Sequence, residues 1–139
     1  MPNPSVVLAF DFGLRRIGVA VGQTITLSAN PLPVLLAERG VPKWDQIAQL
    51  IAQWQPGVLL VGLPFKMDGG EQAISFAVRQ FSVELQQRFN LPVHLVDERL
   101  TTREAKRRLV QIGVKLKDYP IDSFAAKLIL ESWMSQKSH

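Results

Sequence analysis

The 139-residue sequence predicts an α/β fold, a mixed sheet with helices on both faces, and three observations predict it. Two closely spaced runs of β-favouring apolar residues open the chain, with a third strand expected soon after them. From residue 42 onward, helical periodicity alternates with short, almost wholly apolar runs. The length suits one core, so residues 1–139 are expected to form a single domain.

Ser5 to Phe12 is the first of these runs and stops at Gly13, as a central strand entering a turn does, leaving Asp11 at the strand end. Ile17 to Gly22 follows after only Gly13-Leu14-Arg15-Arg16, a spacing that predicts a tight antiparallel hairpin. A third strand is expected between Thr26 and Leu35, giving three antiparallel N-terminal strands.

In Pro42 to Trp54 the period changes. Trp44, Ile47, Ala48, Ile51 and Trp54 share one helical face, and Pro56-Gly57 ends the segment. Val58 to Leu63 has the pattern of a parallel strand covered on both faces, and Gly62 hints at a close backbone approach. A loop from Pro64 to Gly70 leads into a helix near Glu71 to Phe89, and Leu91 to Val96 forms another buried strand that delivers Asp97 and Glu98 at its end.

Thr101 and Thr102 are N-cap candidates for a helix running to about Ile112, before Gly113. The last helix runs from about Ile121 to Met134 and buries Phe124, Leu128 and Trp133. No internal repeat, low-complexity stretch or inter-domain linker interrupts this order.

Composition narrows the function. The chain has no cysteine, which removes disulfides, thiolate metal sites and cysteine nucleophiles and suits the reducing cytoplasm. No signal peptide or membrane-spanning run is visible, so no membrane partner is expected. Sixteen Lys and Arg against 12 Asp and Glu give a net charge of +4, which suits a polyanionic partner without specifying one.

Three carboxylates stand at element ends. Asp11 lies in an apolar run where an unpaired charge would cost several kcal/mol, so either the Gly13 turn or a cation compensates it. Glu98 ends a buried strand at the edge where open parallel sheets gather their ligands; Asp97 beside it points to the opposite face by strand alternation. Asp122 opens the last helix, where capping explains it as well as metal binding does. Taken together, Asp11, Glu98 and Asp122 form a candidate catalytic and metal-ligating set. Three oxygen ligands without thiolates favour Mg²⁺ or Mn²⁺, and two such ions about 3.5–4 Å apart serve phosphodiester hydrolysis.

Four segments carry a family resemblance: Leu8 to Gly22 (Leu-Ala-Phe-Asp-Phe-Gly-Leu-Arg-Arg-Ile-Gly-Val-Ala-Val-Gly), Val61 to Gly69 (Val-Gly-Leu-Pro-Phe-Lys-Met-Asp-Gly), Val96 to Thr102 (Val-Asp-Glu-Arg-Leu-Thr-Thr) and Ile121 to Ala126 (Ile-Asp-Ser-Phe-Ala-Ala). In this order they resemble the YqgF/RuvX family across nearly the whole chain. The resemblance implies an RNase H-like fold and a metal-dependent nuclease acting in 5′-end maturation of pre-16S rRNA, with Holliday-junction resolution of DNA as the older alternative. It also places the acidic site on Asp11, Glu98 and Asp122, with Asp97 as an accessory candidate. Leu14 and Lys66 depart from the family's usual small hydroxyl residue and asparagine.

Basic residues flank these acids in sequence. Arg15 and Arg16 follow Asp11, Arg99 follows Glu98, Arg103 and Arg107 recur along the next helix, and Lys66 lies in the loop after Gly62. These are candidate nucleic-acid contacts, although such charges also make ordinary solvated surfaces. His94, His139, Trp44 and Trp54 have no catalytic setting in the sequence.

Two further readings compete. Asp11-Phe12-Gly13 followed by Gly18 is similar to the phosphate hairpin of the actin and sugar-kinase superfamily, but those enzymes enclose nucleotide between two domains. A non-catalytic RNA-binding protein of ribosome assembly with the same fold is the third reading. The sequence specifies no oligomeric state.

Overall fold

Strands covered on both faces must be apolar at nearly every position, and the centre of this sheet is built from such strands. In the computed structural model, which describes residues 2–63, 73–97 and 121–137, β1 (Asn3–Asp11), β2 (Arg16–Gln23) and β3 (Ser28–Glu38) form an antiparallel meander. A two-residue strand, β4 (Val41–Pro42), pairs with the end of β3. Helix α1 (Trp44–Trp54) leads to β5 (Pro56–Leu63), α2 (Ala73–Phe89) to β6 (Val93–Asp97), and the last described element is α3 (Ile121–Lys137).

The strand order is β4-β3-β2-β1-β5-β6, with β5 parallel to both β1 and β6. This is the mixed sheet expected from the sequence. Pro42 is a difference: it pairs with Ala37 instead of opening α1, and the helix begins two residues later. Val41–Pro42 is too short for a period-2 pattern, which hides it in the sequence. The expected loop 64–70, the first two residues of the helix placed at Glu71, and the helix 101–112 lie outside the described residues.

The two faces of the sheet are packed differently. Leu8, Phe10, Val19, Leu59 and Val61 form one core with Ile47 of α1 and with Val78, Phe81 and Leu85 of α2. Aromatic rings thicken this layer: Phe10 meets Phe81 edge-on at 5.8 Å, and Trp44 stacks on Phe81 at 5.6 Å. Trp44 and Trp54 are thus core residues of α1, as their helical spacing suggests.

On the opposite face, Val7, Ala9, Ala20, Ala29 and Leu60 meet Ala126, Ile129, Leu130 and Met134 of α3. Small side chains let this helix lie close. On β2 the residues facing α3 are Gly18, Ala20 and Gly22, by alternation from the buried Ala20. A β-carbon on Gly22 would stand 2.5 Å from a Leu130 side-chain carbon, and one on Gly18 would stand 1.9 Å from the backbone oxygen of Asp122. Ser123, fully buried, accepts a 3.2 Å hydrogen bond at its Oγ from the Val19 N–H. The first turn of α3 is therefore fixed to the backbone of β2.

This seating predicts that Gly18→Ala lowers stability by at least the roughly 1–3 kcal/mol of overpacking, because the obstacle is backbone and not a flexible side chain. Ser123→Ala should cost about 1–3 kcal/mol through the unpaired Val19 N–H. Urea denaturation followed by circular dichroism measures both, and a Gly18→Ala protein as stable as wild type would contradict the close seating.

Candidate metal-binding active site

Asp11 is the last residue of β1, and its position follows from register. Val7 and Ala9 face α3, so alternation places Asp11 on that same face. It is half-buried at the sheet edge where β1, β5 and β6 all have their carboxyl ends, at Asp11, Leu63 and Asp97. Parallel strands in open sheets gather ligands at this edge.

The neighbours of Asp11 on that face carry no side chains. Directly opposite on β2 is Gly18. On β5, Phe10 pairs with Val61, so Gly62 lies beside Asp11, and the packing of Leu60 against α3 puts the even-numbered positions of β5 on this face. The carboxylate therefore has glycine on both sides within its own row, and beyond Gly62 the row continues to Val96.

Asp122 comes to this place from the far end of the chain. Its backbone oxygen rests against Gly18, the cross-strand partner of Asp11, so two distant stretches of sequence meet at this edge. It is half-buried in the first turn of α3, where the positive end of the helix dipole also favours an anion. Asp97 is exposed, and Val96 beside it packs toward α3, so alternation turns Asp97 to the other face, as expected.

The donor chemistry fits a hard cation: the described part of the site supplies carboxylate oxygens, and the chain holds no thiolate. Among the described residues no group of three or more His, Asp or Glu stands close enough to hold a metal. The third expected ligand, Glu98, lies outside them, directly after Asp97 at the end of β6.

Of the basic candidates, Arg15 and Arg16 are described and exposed. Arg16 begins β2 and shares the face of Gly18 by alternation, so one cation stands on the side of Asp11. Lys66, Arg99, Arg103 and Arg107 lie outside the described residues. His94 is exposed and stacks on Trp133 at 6.3 Å, an arrangement of sheet edge and helix and not of the acidic site.

Sequence reasoning named Gly18 only as part of a phosphate-hairpin-like turn and gave Ser123 no role, yet these two residues seat Asp122. The signal was present in Gly18-Val19-Ala20-Val21-Gly22, where small residues alternate with β-branched ones. Such a strand presents a flat face to one side and a filled face to the other.

A family model described as "RuvX: Holliday junction resolvase" matches residues 5–136. A "Putative pre-16S rRNA nuclease" of Coxiella burnetii is 52% identical over 140 residues, covering 100% of this chain and 99% of the relative. Its namesake in Glaesserella parasuis is 53% identical over 134 residues, covering 95% and 97%. Among solved structures, T. thermophilus RuvC in complex with Holliday junction substrate matches with a TM-score of 0.61 at 17% identity over 96% of both chains. The Fowlpox virus resolvase bound to substrate Holliday junction DNA matches with 0.59 at 12% identity, over 96% of this chain and 99% of that one. These structures establish the RNase H-like fold. With a family model spanning nearly its whole length and full-length relatives at about half identity, the chain belongs to the RuvX family.

Proposed function

We propose that the chain is a metal-dependent nuclease that hydrolyses phosphodiester bonds in 5′-end maturation of pre-16S rRNA, in the cytoplasm, through a single domain of residues 1–139. Its site consists of Asp11, Glu98 and Asp122. The observation that carries this reading is the seating of α3 on Gly18, which brings Asp122 to the strand position opposite Asp11. The choice of substrate is supported by the names of the full-length relatives. A four-way DNA junction is the second reading, favoured by the family description.

Asp11, Glu98 and Asp122 would hold Mg²⁺ or Mn²⁺, which when bound supplies Lewis acidity at the scissile phosphate. Val96 packs toward α3, and Glu98 lies two positions further along the chain, the interval at which strand residues share a face. Gly62, beside Asp11 in its row, adds no side chain at the edge where a sugar-phosphate backbone would approach. Arg16, on the same face, orients the phosphodiester, as Arg15, Lys66, Arg99, Arg103 and Arg107 would further along the strand.

Cleavage of a 5′-extended 16S rRNA precursor and of a four-way DNA junction, with Mg²⁺, Mn²⁺ or EDTA, tests this reading. Asp11→Asn and Asp122→Asn should each lose more than about a hundredfold in rate, since losing even an outer-shell partner of a ligand typically costs 10–100-fold. Full activity of either purified, folded variant would overturn the site. Cutting of the junction alone would transfer the function to DNA.

Binding can be read without catalysis. Mn²⁺ at a hundred times its Kd should stabilise the wild-type protein by about 2.7 kcal/mol, seen as a raised Tm. The Asp11→Asn protein should show little of that rise, and an equal rise in both would place the ion elsewhere.

A further inference from the structure

The face of the sheet that carries Asp11 extends past α3. At the far end of β3, Leu35 and Ala37 pack into the α1 and α2 core, so Leu36 and Glu38 face the other way. Arg16 is the β2 partner of Leu36, and Val41 is the β4 partner of Glu38. Cross-strand partners share a face, which makes Arg16, Leu36, Glu38 and Val41 one strip running from the end of β1 to the sheet edge. All four are exposed, Leu36 by 66% and Val41 by 61%.

The strip ends at a hairpin whose turn contains an unexpected residue. Glu38 pairs with Val41, closing the two-residue connection Arg39-Gly40, and both of its residues have positive φ, 53° and 81°. A type I′ turn requires this, and Asn, Asp or Gly usually supplies its first position, because a left-handed backbone costs an ordinary side chain roughly 1–2 kcal/mol. Arg39 is thus a poor choice for folding alone. Its side chain is exposed, and with Lys43 it borders a groove of about 550 Å³ that Leu36 and Val41 also line.

This hairpin is fastened to the acidic site. The Gly40 N–H donates to the Leu14 carbonyl at 2.9 Å and the Ala37 N–H to the Arg15 carbonyl at 2.9 Å, so the tip is held by the turn that follows Asp11. A β-carbon at Gly40 would lie 3.1 Å from the Phe12 ring, which shows how closely the two loops pack.

We infer that this strip binds a phosphodiester strand of the substrate, carrying it from Asp11 over Arg16 and Leu36 to Arg39 and Lys43. The inference rests on the nuclease reading of Asp11 and extends it to a surface outside the carboxylates. Charge complementarity and continuity with the site favour nucleic acid: Arg15, Arg16, Arg39 and Lys43 are all exposed, against Glu38 within the strip and Asp45 at the start of α1. Leu36 and Val41 offer apolar contact to sugars and bases.

The same strain makes the test sharp, because folding and binding should move in opposite directions. Arg39→Asn relieves the left-handed backbone and keeps or raises Tm. Lys43→Gln leaves the helix start intact, since Lys43 makes no side-chain cap at α1. Affinity is read by fluorescence anisotropy of a labelled single-stranded RNA and of a labelled four-way DNA junction, in EDTA, across a KCl series. The double variant should flatten the dependence of log K on log salt by about 1.4 for the RNA, at roughly 0.7 for each phosphate that is no longer neutralised. Arg39→Lys with native Lys43 should retain the wild-type slope, and Glu38→Gln should bind more tightly.

Weaker binding of one probe only tells RNA from DNA and still supports the surface. A double variant with wild-type affinity and slope on both probes, or a wild-type protein that binds neither, overturns it. Failure of the nuclease reading shows elsewhere, as cleavage that survives Asp11→Asn while these binding curves stand.

Discussion

The acidic edge of this protein depends on a missing side chain, that of Gly18. A helix lying on a sheet normally keeps its backbone several ångströms away, because side chains from both fill the gap. Here the alternation Gly18, Ala20, Gly22 empties one face of β2, and the first turn of α3 comes so close that any β-carbon at position 18 would overlap the Asp122 carbonyl. Because Gly18 is also the cross-strand partner of Asp11, the void that admits the helix adjoins the carboxylate. Packing of α3 and placement of Asp122 are one event, and a substitution that loosens α3 displaces Asp122 without touching it.

The two faces of the sheet divide the work. One is filled by Phe10, Phe12, Phe81 and Trp44, large rings that hold α1 and α2 at a distance and supply most of the thickness of the core. The other relies on Ala9, Ala20, Ala29 and Ala126, which bury less area per residue but permit close approach. A site needing backbone from a distant part of the chain beside a strand-end carboxylate is compatible only with the thin face. The parity of Asp11 follows from that: one residue earlier or later on β1 it would point into the aromatic layer, where an ionised group is costly.

This division explains what the sequence discloses and what it conceals. β1, β2 and β5 are legible because strands covered on both sides must be apolar throughout, and α1 is legible because Trp44, Ile47, Ile51 and Trp54 keep a helical period. The end of β3 and all of β4 are not: β3 runs past Leu35 to Glu38, Pro42 reads as the opening of a helix, and a two-residue strand has no period. Pro33 lies within the segment where the pairing of β2 with β3 shifts register between Ile17 and Val19, a place where a residue without an N–H is tolerated. At the site, Asp11 and Asp122 stand out in sequence only as strand-end and helix-start acids with adequate local explanations. Their proximity is a property of strand order and of Gly18, which no local window contains.

Carboxylates gathered at one place repel, by about 1 kcal/mol per pair at 4 Å in water and about 4 kcal/mol at the effective dielectric of a protein surface. Close packing brings the first turn of α3, and Asp122 with it, to the strand position opposite Asp11, and a cation lying between two such carboxylates would offset that repulsion. Arg16 stands exposed on the same face. The excess of cations elsewhere on the chain then has a partner in view: a polyanion drawn to the basic surface is held beside this acidic edge.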